Sequence, residues 1–178
     1  MTAIRNGGVH VRPVNGSRGR SRLPAEPGGY ALAFRLDETI RVKPGALGMV
    51  ELPAGHYLYM GSALSGLAPR LARHLRRRKK RHWHIDALTS VSRAEQVWWS
   101  ASDTRLECEW TASALADPEA SVPIPGFGSS DCRCKSHLVR LDSEAARERV
   151  YRGVVALSPG TNRLDVPERL TGRFLSTS

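Results

Sequence analysis

Apolar positions alternate in some stretches of this chain and recur every third or fourth residue in others, and that change of period assigns the elements. In the segment 30–36, Tyr30, Leu32, Phe34 and Leu36 share one face opposite small or charged residues, which predicts a strand. Lys43-Pro44-Gly45 and Leu47-Gly48 mark turns around a short second strand, 49–52. The segment 56–60 predicts a third strand, with Tyr57 and Tyr59 on one face and Leu58 and Met60 on the other. Leu67, Leu71 and Leu75, with His74 beside them, form the stripe of a helix over 67–78, for which Ser65 is the expected N-cap and Pro69 sits in the first turn.

A short helix over 85–91 and a strand over 96–100 follow. Trp98 and Trp99 are adjacent in that strand, so one is expected in the core and the other at the surface, where base stacking would be open to it. A helix over 104–116, capped by Asp103, carries Leu106, Trp110, Ala114 and Leu115 on its apolar side. A Pro/Gly loop, 123–128, leads to a last strand over 136–141. The sum is an α+β fold: a small, mostly antiparallel sheet flanked by α-helices.

The chain of 178 residues divides into three parts. Residues 1–26 hold Gly, Pro, Asn and Ser with Arg5, Arg12, Arg18, Arg20 and Arg22 and little apolar periodicity, as expected of a disordered basic arm. Residues 27–142 have the pattern of a compact domain, and 143–178 read as a helix over 143–150 followed by a flexible tail. A net charge of +10 favours a polyanionic partner, because every phosphate neutralised releases condensed counterions. No segment resembles a signal peptide, and no apolar run approaches the roughly 18 residues of a membrane span. The odd number of cysteines, Cys108, Cys132 and Cys134, argues for reduced thiols and a cytoplasmic setting.

The charge is concentrated. Arg73, Arg76, Arg77, Arg78, Lys79, Lys80 and Arg81, followed by His82 and His84, form the candidate nucleic-acid surface. Lacking Asn, Gln and the spacing of direct base readout, this run suits phosphate contacts, or simply a solvated helix end.

Gly28-Gly29-Tyr30 and Tyr59-Met60-Gly61, each on a predicted strand, resemble the two signature triplets of the GIY-YIG nuclease superfamily. Further strings, Tyr59-Met60-Gly61-Ser62-Ala63, His82-Trp83-His84-Ile85-Asp86 and the segment 126–134, are similar to those of one branch of that superfamily that has no assigned function. The resemblance implies a metal-dependent endonuclease that hydrolyses phosphodiesters in DNA, with DNA favoured over RNA and repair as one setting. It implies that Tyr30 is the base or water-positioning group, that Tyr59 supplies a second hydroxyl, that Arg70 clamps the phosphate and that His74 assists proton transfer. A helical glutamate would hold one Mg²⁺ or Mn²⁺. Glu107, preceded by Leu106, fits better than Glu109, and the two point to different faces of the helix.

The chemistry is coherent. A divalent cation that keeps most of its waters can polarise a phosphoryl group, an arginine fork matches phosphate oxygens, and a tyrosine beside both can ionise more readily. Gly29 and Met60 stand where the superfamily usually has isoleucine, and the connection between the triplets is long, consistent with a loop over 43–48. No second DNA-binding domain is evident, which leaves specificity to the basic arm, the arginine run or a protein partner. The alternative is a catalytically inactive DNA- or RNA-binding module of the same fold. In that case Tyr30 and Tyr59 are edge residues of the core and His74 a hydrogen-bonded core histidine. Separately, Cys132, Cys134 and His137, with Cys108 from the preceding helix, could supply four ligands of a structural zinc, although Cys-x-Cys is not the usual knuckle spacing and free cysteines are commonly just buried.

Overall fold

The computed structural model describes residues 23–76 and 78–167. The expected basic arm therefore lies almost wholly outside the described residues, as do Arg77 and the end of the expected tail. In chain order the elements are β1 (Gly28–Leu36), β2 (Ile40–Val42), one 3-10 turn (Gly45–Leu47), β3 (Val50–Leu52), β4 (Gly55–Ala63), α1 (Leu67–Leu75), α2 (His84–Thr89), β5 (Ala94–Ala101), α3 (Glu107–Leu115), β6 (Ala120–Ser121), β7 (Leu138–Leu141), α4 (Glu144–Leu157) and β8 (Asn162–Asp165).

The fold is α+β, as expected. One antiparallel sheet runs in the order β6-β7-β4-β1-β5-β8, and β2 and β3 pair separately as a small ribbon. β1 lies between β4 and β5 and is buried along nearly all its length. Tyr30, Leu32, Phe34, Tyr57, Tyr59 and Trp99 face one layer, formed by α1, α2 and the β6–β7 loop through Leu67, Leu71, Leu88 and Phe127. Ala31, Ala33, Leu58, Met60 and Trp98 face the other, formed by α3 and α4 through Trp110, Ala114, Val150 and Val154.

Covering both faces overturns one expectation. Neither tryptophan reaches the surface: Trp98 is 0% and Trp99 5% exposed, each in a different core layer. Adjacent residues of a strand divide between core and surface only if one face of the sheet meets water, and here neither does.

The end of α1 is a second correction. The helix stops at Leu75, short of the expected residue 78, and Arg76 turns to extended backbone (φ −74, ψ 127). No apolar residue continues the stripe past Leu75. Lys79 folds back instead, donating to the carbonyls of Arg73 at 3.2 Å and His74 at 2.6 Å, where a cation also suits the negative helix end. At the other end the cap is Gly66, not Ser65, and it forms no side-chain cap bond. The N–H groups of Leu67 and Ala68 donate to the carbonyls of Glu26 and Pro24, so incoming backbone does the capping.

α3 likewise starts at Glu107 after Leu106, without a cap from Asp103. α4, capped by Ser143 through the Ala146 N–H, runs past Val150 to Leu157, and β8 pairs with β5. The chain from Glu144 to Asp165 is thus built into the core and sheet.

Candidate functional site

Antiparallel pairing of β1 with β4 brings the two triplets together: Gly28 faces Ala63, Tyr30 faces Gly61 and Leu32 faces Tyr59. The ring of Tyr30 lies across its neighbour. A Cβ added at Gly61 would stand 2.5 Å from both Cζ and Oη of Tyr30, so that position must be glycine for the ring to lie as it does. Tyr30 and Tyr59 sit side by side, ring centroids 6.4 Å apart. Gly128, at φ +72, brings the β6–β7 loop against the Tyr59 ring where a Cβ would come within 2.8 Å.

An open cleft of about 400 Å³ lies at this end of the sheet. Tyr30, Tyr59, Arg70 and Glu107 all line it, each from a different element, with Arg105, Asp131 and His137 at its walls. Glu107 is 6% exposed, receives a hydrogen bond from the Ser62 hydroxyl and lies 3.7 Å from the Arg105 guanidinium. Glu109 is exposed on another face. The Arg70 guanidinium lies 4.4 Å from the centroid of the Trp83 ring and makes no ion pair among the described residues. A second depression, of about 440 Å³, lies near Arg35, His56 and Arg140; its charges pair locally, Arg35 with Asp37 and Arg140 with Asp142.

Behind the cleft is a buried polar chain. The Tyr30 hydroxyl lies 2.9 Å from His74 Nε2, and His74 Nδ1 lies 3.7 Å from Asp86 Oδ1. The second contact is electrostatic at that distance, and Nδ1 has no hydrogen-bond partner among the described residues. Burial pushes the Tyr30 hydroxyl well above the ordinary tyrosine range and outweighs the opposing charge of Arg70. Tyr59 is raised in the same way, with Tyr30 adding to the effect. Arg70 by itself therefore does not make Tyr30 a ready phenolate. Burial also lowers His74, against the pull of Asp86, so its imidazole is neutral at neutral pH and can accept from Tyr30.

Asp86, the acid that ends the string 82–86, is where these contacts gather. Its side chain is fully buried, yet it accepts both Arg73 guanidinium nitrogens at 2.9 Å, the His82 N–H at 2.8 Å and the Trp83 N–H at 3.0 Å, with Lys79 Nζ at 3.6 Å. Burial alone would raise its carboxyl, but the nearby His74 ring, the Arg73 guanidinium and the two backbone N–H groups hold it far below the usual range. The signal in sequence is a lone acid closing a run of cations, three residues into a short helix.

The same network revises two basic residues. Arg73 is bound to Asp86 and stacked 4.2 Å from the Trp83 centroid, and Lys79 is 6% exposed, its pKa pushed down to about 8 mainly by burial. Neither is free to hold phosphate. His84 accepts the Gly128 N–H at 3.0 Å and so supports the loop. Arg76, Arg78, Lys80, Arg81 and His82 keep contact with solvent.

At the far wall of the cleft, one ligand atom each from Cys108, Cys132, Cys134 and His137 lies within 4.8 Å of all the others, a set that could hold a metal ion. Among the described residues no helix is long and apolar enough to cross a membrane.

The fold is a three-layered α+β domain, its sheet covered on both faces, with an open cleft lined by two tyrosines, an arginine and a glutamate. Residues 29–157 match the family described as a domain of unknown function, DUF123, and the chain belongs to it. No curated protein and no solved structure matches the chain.

Proposed function

We propose that this protein is a metal-dependent endonuclease of the GIY-YIG type, acting on DNA. The observation that carries the proposal is the convergence of Tyr30, Tyr59, Arg70 and Glu107, from four separate elements, on one open cleft. A solvated glutamate, two core-edge tyrosines and a surface arginine would have no reason to meet there.

Glu107 fits a hard divalent cation: it is a carboxylate at the cleft wall, oriented by Ser62, with water able to fill the remaining coordination positions. Mg²⁺ or Mn²⁺ bound there would supply charge to the scissile phosphate and the leaving oxygen. Arg70, held against Trp83, offers its fork to the non-bridging oxygens. Tyr30 orients the attacking water. As the water's proton passes to the Tyr30 oxygen, the Tyr30 proton moves to His74 Nε2, and the resulting imidazolium faces the Asp86 carboxylate. Tyr59 donates a second hydroxyl from the neighbouring strand. Arg76, Arg78, Lys80 and Arg81 attract the phosphate backbone without reading bases.

Incubation with labelled linear DNA, branched DNA and RNA, in Mg²⁺ or Mn²⁺, tests the reading. Divalent-dependent cleavage of a DNA substrate is expected. Salt-dependent binding without cleavage of any substrate supports the inactive binding module instead.

A further inference from the structure

The Cys108, Cys132, Cys134 and His137 cluster is built for a particular metal, and we infer that it is a structural zinc site locking the β6–β7 loop to the first turn of α3. With zinc–sulfur bonds of about 2.3 Å and zinc–nitrogen bonds of about 2.0 Å, the edges of a tetrahedral site come to roughly 3.5–3.8 Å. His137 Nε2 lies 3.3 Å from Cys132 Sγ and 3.8 Å from Cys108 Sγ, and all four ligand atoms lie within 4.8 Å of one another. The side chains therefore already stand near the corners such an ion requires.

The alternatives explain less. Ordinary free cysteines prefer full burial among apolar groups, whereas all three of these are part-exposed and turned towards one another and an imidazole. Iron–sulfur clusters take four protein ligands, usually all thiolate, around a larger core. Three thiolates and one imidazole within tetrahedral reach select zinc, and four protein ligands leave no open position for catalysis.

The connectivity says what the ion does. The β6–β7 loop has no helix or strand of its own. Its base is anchored by Phe127, whose carbonyl accepts the His137 N–H at 2.7 Å, while the His137 carbonyl accepts the Met60 N–H at 3.0 Å. Its outer part, which carries Cys132 and Cys134, is tied to the body by side chains, chiefly the exposed Arg105–Asp131 pair at 2.6 Å. Bridging Cys132 and Cys134 to Cys108 fixes that outer part to α3 beside Glu107, and so sets the cleft wall formed by Ser130, Asp131 and His137. The zinc site is thus a separate metal site from the one proposed at Glu107, and it stands whether or not the protein cuts DNA.

The test begins with protein purified without chelator and analysed for metal. One zinc per chain is expected, released stoichiometrically when an organomercurial titrates the thiols. Cobalt loaded into the metal-free protein should give thiolate charge-transfer bands and the intense visible bands of a tetrahedral site. Cys134→Ser, and the double variant Cys132→Ser with Cys134→Ser, should lose the ion. In wild type, chelation should remove hydrogen-exchange protection from the loop's outer part while the sheet stays protected. Wild-type protein that is folded, yet holds no zinc after reconstitution and gives no thiolate–cobalt bands, overturns the site even if the serine variants fail to fold. Undiminished zinc in a folded double serine variant overturns the ligand set.

Discussion

Replacing Asp86 by Asn probes the hub on which the cleft rests. The carboxylate accepts two hydrogen bonds from Arg73 and one each from the His82 and Trp83 N–H groups, with Lys79 at 3.6 Å. Asn keeps the shape but removes the charge and turns an NH₂ towards a guanidinium. Its carbonyl oxygen can still accept from the backbone, so the main loss is the counter-charge of Lys79, 6% exposed, and of Arg73, 27% exposed. Removing one partner of a buried pair costs about 3–5 kcal/mol. Because Arg73 keeps some contact with water, about 3 kcal/mol is expected for Asp86→Asn.

Urea denaturation gives the value, and a Lys79→Met background gives the coupling. With the buried ammonium gone, Asp86→Asn should cost less by about 1–2 kcal/mol. The pH dependence supplies an independent check. Asp86 has a folded pKa depressed below its ordinary 3.8, so the stability it contributes is present above that value and is lost as pH falls towards the folded pKa. Wild type should lose stability through this acid range, while the Asn variant shows a shallower slope. A variant within about 0.5 kcal/mol of wild type at neutral pH, or one with the wild-type acid slope, would refute the idea that Asp86 organises this layer.

Other outcomes follow from the same geometry. Gly61→Ala should cost about 1–3 kcal/mol in denaturant midpoint experiments, because the new methyl meets the Tyr30 ring in a packed layer, and cleavage should fall with it; an unperturbed Gly61→Ala would mean the ring has another place to go. The acid limb of the cleavage profile should have its midpoint below 6.5, since burial lowers His74 and activity is lost as pH falls and the imidazole protonates; a midpoint above 6.5 would remove His74 from the proton path. Neutralising Arg76, Arg78, Lys80 and Arg81 should flatten the dependence of log K on log salt by roughly 0.9 for each phosphate no longer neutralised, read by fluorescence anisotropy; an unchanged slope would place the DNA elsewhere. Arg73→Ala should leave that slope unchanged and lower stability, because its guanidinium is engaged by Asp86.

What can be read from sequence follows from how local each feature is. The alternation of Tyr57 and Tyr59 against Leu58 and Met60 is a property of one strand, and the two pairs do enter different core layers. The pairing of Tyr30 with Gly61 can be suspected from the two triplets, but the reason for the glycine, a ring lying across the next strand, exists only in the folded sheet. Nothing local to Trp99 says that a second layer covers its face. Arginine and lysine are good helix formers, so propensity extends α1 to residue 78; it does not reveal that Lys79 turns back to cap the carbonyls of Arg73 and His74. The Pro, Gly and Thr content after Asp142 suggests a tail, yet Val150 and Val154 complete a core layer and β8 extends the sheet. Asp86 is hard to see for a similar reason: its importance lies in Arg73, Lys79 and His74, which only the packing of α1 on α2 brings around it.

The most direct test of the nuclease reading is divalent-dependent cleavage of labelled DNA by wild type beside Glu107→Ala and Arg70→Ala, with binding measured in parallel. Wild type should cleave, and each variant should show a rate loss on the order of 10²–10³ while salt-dependent binding persists. Binding without cleavage by folded wild type, or full activity in Glu107→Ala, would contradict it.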